Sequence, residues 1–242
     1  MDLSPEHGRH GNKPVNILSR WIPVDSDARD ELVLNVLLLG DRQSGRSSVG
    51  NALIGGHEFQ TGRRIFGDCV TAEYQVRTRR YSRYFRRQGA ECDLVLRVVD
   101  TPPLLPHPQS VDTLCPEGVH VLVLVVRADL TQGTGPLGRQ VERLFGPGWR
   151  RHALLVLTYA DLVQEAGLDP SSYLTQAADW LRTLAGEVTG GVLFMDDSCD
   201  WPSIRGEPLR ARVLDLSARN HHTALRVPLD PTSSTRSPSA IS

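Results

Sequence analysis

The chain has 242 residues, a formal net charge of -1 and 40% hydrophobic residues, enough for one α/β domain with tails and without the charge surplus that draws a protein to nucleic acid or an anionic membrane. Cys69, Cys92, Cys115 and Cys199 are dispersed, with no C-x-x-C pair, which argues against a zinc site and for reduced thiols in the cytoplasm. The polar N-terminus lacks the apolar core of a signal peptide, and no stretch approaches the ~18 apolar residues of a transmembrane helix.

Residues 1–30 are polar and turn-rich, with Pro5, Pro14 and Pro23, and read as a flexible arm. One domain is expected over residues 31–220, followed by a disordered Ser/Pro-rich tail over 221–242. Within the domain the apolar run 33–39 reads as a buried strand and 46–54 as a helix. A polar link leads to a hairpin of residues 70–78 and 92–99, whose second strand ends at Asp100. A proline-rich loop is expected over 101–117, a continuous apolar strand over 119–126, a short helix over 136–145 and another buried strand over 153–157. Apolar residues at helical spacing predict a single helix over 171–186. A short last strand, 192–195, and an amphipathic helix, 203–219, complete the pattern. Buried strands interleaved with helices predict a mostly parallel, doubly wound α/β sheet with crossover helices.

Three short motifs stand at the ends of these strands. The first is Gly40-Asp41-Arg42-Gln43-Ser44-Gly45-Arg46-Ser47-Ser48, between the first strand and the first helix. This is the setting of a phosphate-binding P-loop, G-x-x-x-x-G-K-[S/T], with Arg46 in place of lysine. Gly40 and Gly45 allow a tight wrap that points backbone N–H groups at phosphates, and the helix N-terminus adds positive charge. Ser47 stands where a Mg²⁺-ligating hydroxyl belongs. Of the 27 lysines and arginines only Lys13 is lysine, so Arg46 also follows a general preference of this chain. A guanidinium is planar and bulkier than an ammonium, and fits less readily between phosphate oxygens. The plain alternative is a glycine-containing turn with no ligand.

The second motif is Asp100-Thr101-Pro102-Pro103, where GTPases carry D-x-x-G. Asp100 suits a Mg²⁺ site, whereas Pro103 has no N–H with which to sense a γ-phosphate. The third is Thr158-Tyr159-Ala160-Asp161, at the place of the guanine-reading [N/T]-K-x-D. The Asp161 carboxylate would accept from guanine N1–H and the 2-amino group, while an ordinary helix-start acid is the alternative. Tyr159 replaces the lysine whose stem packs on the base. The arginines from Arg77 to Arg87 read as a solvated hairpin face, and the scattered histidines show no ligand spacing.

In this order the motifs resemble the GTPases of immunity-associated proteins, the GIMAP family, over about residues 32–220. The run from Ser44 to Gly55, including Asn51, is similar to the family's extended P-loop segment, and the run from Gly118 to Val125 to its G-P-H-A-[L/I]-L-L-V box. The segments 82–87, 127–129 and 165–168 look like the divergent branch described as GIMAP-family P-loop NTPase domain-containing. The resemblance implies a septin- and Toc-like G domain that binds GTP or GDP with Mg²⁺ and pairs as a homodimer through its nucleotide face. It implies nucleotide contacts from residues 40–48, Thr158, Asp161 and Asp196, and Mg²⁺ contacts from Ser47, Asp100 and the switch I residue Thr71. Several departures bear on hydrolysis: Arg46, Pro103, Asp129 where the family often has arginine, and no glutamine soon after Asp100. Asp196 and Asp197 stand where the family often has an asparagine pair, and the tail lacks the membrane anchor of some members. A binding switch or scaffold with slow or absent hydrolysis is therefore expected. The alternative is an interaction module without useful nucleotide affinity; a small-substrate P-loop kinase is disfavoured because it has no use for the Asp161 motif.

Overall fold

The computed structural model describes residues 30–61, 73–103, 106–129, 137–196 and 201–228. Its centre is a six-stranded sheet in the order β2-β3-β1-β4-β5-β6. The strands are β1 (Glu31–Gly40), β2 (Gln75–Arg87), β3 (Ala90–Asp100), β4 (Val121–Arg127), β5 (Ala153–Thr158) and β6 (Val192–Met195). Only β2 runs antiparallel to its neighbour, so the doubly wound, mostly parallel sheet expected from the sequence is present.

The continuous apolar strands follow from burial on both faces. Leu37 and Leu39 of β1 pack with Val141, Leu144, Trp149, Leu181 and Leu184 on one face. Leu34, Val36 and Leu38 pack on the other with Val49, Leu53, Leu209, Val213 and Leu216. The first face is covered by α3 (Leu137–Phe145), α4 (Trp149–His152), α5 (Ala160–Glu165), α6 (Pro170–Gln176) and α7 (Asp179–Glu187). The second carries α1 (Arg46–Ile54) and α9 (Glu207–Arg219), with α8 (Pro202–Arg205) beside α1.

Four expectations need correction. The hairpin strands run on past 78 and begin before 92, and Gln88 and Gly89, with φ of 49° and 85°, join them in a two-residue turn, while the expected start at residues 70–72 lies outside the described residues. The arginine cluster thus lies along the edge strand β2, where Arg80 pairs with Glu31 and Asp93, and Arg83 with Glu91. The loop expected over 101–117 contains α2 (Pro108–Leu114), capped by His107 with Pro108 at its first position. The single helix expected over 171–186 is broken, because Ala177 and Ala178 adopt extended backbone between α6 and α7. The helix expected over 203–219 is divided at Gly206: a Cβ there would intrude on Ala52 O, and Pro208 cannot donate to the preceding turn.

The tail drawn from residue 221 also begins inside the packed domain. Leu225 N and O bond Val119 O and N, each at 2.8 Å, and Val227 is buried in the α3-side core.

Candidate functional site

The loops after β1, β3 and β5 meet at one end of the sheet, as the parallel order requires. Residues 41–45 connect β1 to α1, with Gln43 and Gly45 at φ of 58° and 87°. A Cβ on Gly40 would lie 2.7 Å from Ser44 Oγ and closer still to Val125 O, so the loop cannot wrap this tightly around a larger residue. Thr158, at the end of β5, is fully buried and donates its hydroxyl proton to Ser44 O at 2.7 Å, with Val126 O at 3.3 Å. Its hydroxyl thus fixes the loop after β1 from below and is turned inward rather than toward a ligand.

Ser47 and Asp100 meet as their motifs suggested. Ser47 Oγ donates to Asp100 Oδ2 at 2.7 Å, bringing a hydroxyl and a carboxylate from α1 and β3 together. These are the hard oxygen donors that Mg²⁺ takes, and Mg²⁺ commonly needs few protein ligands because phosphate oxygens and water complete its shell. Among the described residues no group of three or more His, Cys, Asp or Glu side chains could hold a metal by itself. Thr71 lies outside the described residues.

Arg46 is nearly buried, at 5% exposure, and its side chain runs back under the loop. Nη1 donates to Gly40 O at 2.9 Å and Pro102 O at 2.7 Å, with Thr101 Oγ1 at 3.4 Å. Nε lies 3.8 Å from Asp100 Oδ1. Arg46 therefore ties the loop after β1 to the loop after β3, a use the motif alone did not reveal. Packing around Asp41 pushes its carboxyl above the usual carboxylate range, and the Arg46 charge opposes the shift.

The other side of the site is built by the loop after β5. Tyr159 takes a left-handed backbone, φ 58°, and Asp161 follows in the first turn of α5. Asp161 Oδ1 is shielded from solvent and accepts no hydrogen bond among the described residues. A buried acceptor without a donor is costly, and paired N–H donors such as those on a guanine edge would satisfy it. Met195 is paired with Thr158, so Asp196 leaves β6 beside this loop. The Arg127 guanidinium stacks 4.2 Å from the centre of the Tyr159 ring and bonds Asp129 Oδ1 through Nε at 2.9 Å. The Tyr173 hydroxyl donates to Ala128 O at 2.8 Å and so anchors this segment. Burial, and secondarily the Asp129 carboxylate, pushes the Tyr173 hydroxyl up to about 12. The Arg127–Tyr159 stack was not read from the sequence; its only signal was the Arg127-Ala128-Asp129 run.

The residues present thus fit a Mg²⁺-nucleotide: a wrapped loop at a helix N-terminus, a hydroxyl–carboxylate pair, and a buried acceptor at the base end. The AIG1 family sequence profile matches residues 34–200. Immune-associated nucleotide-binding protein 1 of Arabidopsis thaliana is 26% identical over 204 residues, covering 78% of this chain and 86% of that protein. Immune-associated nucleotide-binding protein 4 of the same organism is 24% identical over 180 residues, 69% of this chain and 52% of that protein, so the chain spans about half the length of that relative. Among solved structures, a dimerization-deficient mutant of Toc33 from Arabidopsis thaliana aligns with a TM-score of 0.53 at 21% identity, covering 81% of this chain and 88% of that one. Toc33 in complex with GDP and Mg²⁺ aligns with a TM-score of 0.52 at 22% identity over the same shares. At these identities the likeness shows the α/β P-loop GTPase fold. Among the described residues no helix is long and apolar enough to cross a membrane.

Proposed function

The chain belongs to the AIG1 family, and from that premise we propose that it is a guanine-nucleotide-binding G-domain protein acting as an assembly switch or scaffold, with slow or absent GTP hydrolysis. The observation that carries this reading is the convergence of the residue 40–48 loop, the Ser47–Asp100 pair and the unsatisfied Asp161 Oδ1 at one end of the sheet. In this reading the loop N–H groups and the α1 N-terminus hold the phosphates, and Ser47 and Asp100 hold Mg²⁺. Asp161 accepts from the guanine edge, with Tyr159 and Asp196 beside it. Bound Mg²⁺ neutralises phosphate charge; Thr158 keeps the loop in register through Ser44 O.

Weak hydrolysis is supported by what the loop after β3 lacks. Pro103 offers no N–H, and the Arg46 guanidinium is engaged with backbone oxygens. A homodimer through the nucleotide face is proposed by analogy with Toc33, one of whose structures is described as dimerization-deficient. The Arg46 engagement also favours a second reading, an interaction module that keeps the fold without useful nucleotide affinity. Binding of fluorescent GDP, GTP, ADP and ATP, each with Mg²⁺, separates the two. Guanine preference at micromolar affinity supports the first reading, and no binding of any of the four favours the second.

A further inference from the structure

The sheet order sets how a nucleotide can lie across the loop after β1. Strand β1 has β3 on one side and β4, then β5, on the other. A base held by Asp161 after β5 sends its phosphate chain across the α1 N-terminus toward the loop after β3. A third phosphate is the one that reaches residues 101–103.

Among the described residues at that end, the Thr101 hydroxyl and the Arg46 guanidinium are already engaged. Pro102 and Pro103 have no N–H. The Thr101 hydroxyl donates to Leu38 O at 2.9 Å. Arg46 Nη1 donates to Pro102 O at 2.7 Å and Gly40 O at 2.9 Å, and its Nε lies 3.8 Å from Asp100 Oδ1. The guanidinium therefore closes the gap between the two loops. Asp41 shares the small cleft there with Gly40, Thr101, Pro102, Pro103 and Gln140, and its carboxylate repels a third phosphate. A diphosphate avoids this end, because its β-phosphate is met by the loop N–H groups and the α1 N-terminus.

Resting on the guanine-nucleotide reading, we propose that Arg46 is a specificity-determining residue: by tying Gly40 to Pro102 it makes the site select a nucleoside diphosphate over the triphosphate. A triphosphate must break this tie, whereas a diphosphate leaves it whole. The fork matters because one guanidinium spans two loops while also facing Asp100; a lysine ammonium is a compact point donor on a different stem.

The test is titration of the whole 242-residue chain with Mg·GDP and Mg·GTP under identical conditions. GDP is expected to bind about tenfold tighter or more, a difference of about 1.4 kcal/mol at tenfold. In Arg46→Lys the ratio is expected to shrink severalfold through a gain in GTP affinity. Equal or tighter GTP binding by the natural chain overturns the inference and leaves the guanine-nucleotide reading standing. An unchanged ratio in Arg46→Lys overturns the role of Arg46. Should that variant not fold, Arg46→Gln, whose single amide cannot span both carbonyls and face Asp100, is read the same way. Binding of neither nucleotide overturns the underlying reading and the inference with it.

Discussion

Ser47 and Asp100 define the sharpest chemistry at the scale of single residues. Their 2.7 Å contact sets a hydroxyl against a carboxylate, the two oxygen donors that would hold Mg²⁺. Ser47→Ala is expected to lower nucleotide affinity about tenfold in Mg²⁺ and far less in EDTA, a loss of about 1.4 kcal/mol tied to the metal. Equal losses in both buffers would show that the hydroxyl acts through packing alone. The positions of the loop, Asp100 and Asp161 were legible in the sequence because each ends or closely follows an apolar strand. What Thr158 and Arg46 do was not. Both point inward onto backbone oxygens, and no side-chain pattern records which carbonyl lies within reach.

Elements differ in how much of them the sequence announces. Helix α1 occupies residues 46–54 as expected, because Gly45 and Gly55 bracket it and Val49 to Ile54 are buried. Helices α2, α4 and α5 have only 7, 4 and 6 residues, too few for a periodic pattern to emerge. The break between α6 and α7 carries no glycine or proline. It follows from packing: Tyr173 is drawn to Ala128 O, while Leu181 and Leu184 of α7 seat in the core. The break at Gly206 was readable, since Pro208 follows it. Gly206→Ala tests that junction, because a Cβ would meet Ala52 O and lie 2.6 Å from Arg210 Nη1. A loss of about 1–3 kcal/mol is expected, as for overpacking elsewhere. Urea unfolding measures it, and an unchanged midpoint would mean that α8 yields freely from α1.

Across the whole molecule, the end of the sheet opposite the site is held by a buried histidine. His120 Nδ1 accepts from the Asn35 N–H at 3.0 Å, which requires a neutral ring. Burial lowers its affinity for a proton, Glu117 opposes, and His222 and His152 add to the lowering. The folded chain therefore binds fewer protons here than the unfolded chain. This contribution is fully present above the ordinary histidine value of about 6.5 and is lost as pH falls toward the depressed folded value. His222, also lowered chiefly by burial, acts in the same direction. The melting temperature is expected to fall between pH 7 and pH 5, with a shallower slope in His120→Gln. A parallel slope in that variant would place the effect elsewhere.

At the base end of the site Asp161 Oδ1 lies buried, with no donor among the described residues. The most direct test is the ratio of Mg·GDP to Mg·ADP affinity, measured by calorimetric titration in the natural chain and in Asp161→Ala. A guanine preference of about a hundredfold or more is expected, since two hydrogen bonds to a carboxylate contribute about 1.5–3 kcal/mol each, and it should collapse toward unity in the variant. Equal affinity for GDP and ADP in the natural chain, or a preference that persists without the carboxylate, would contradict it.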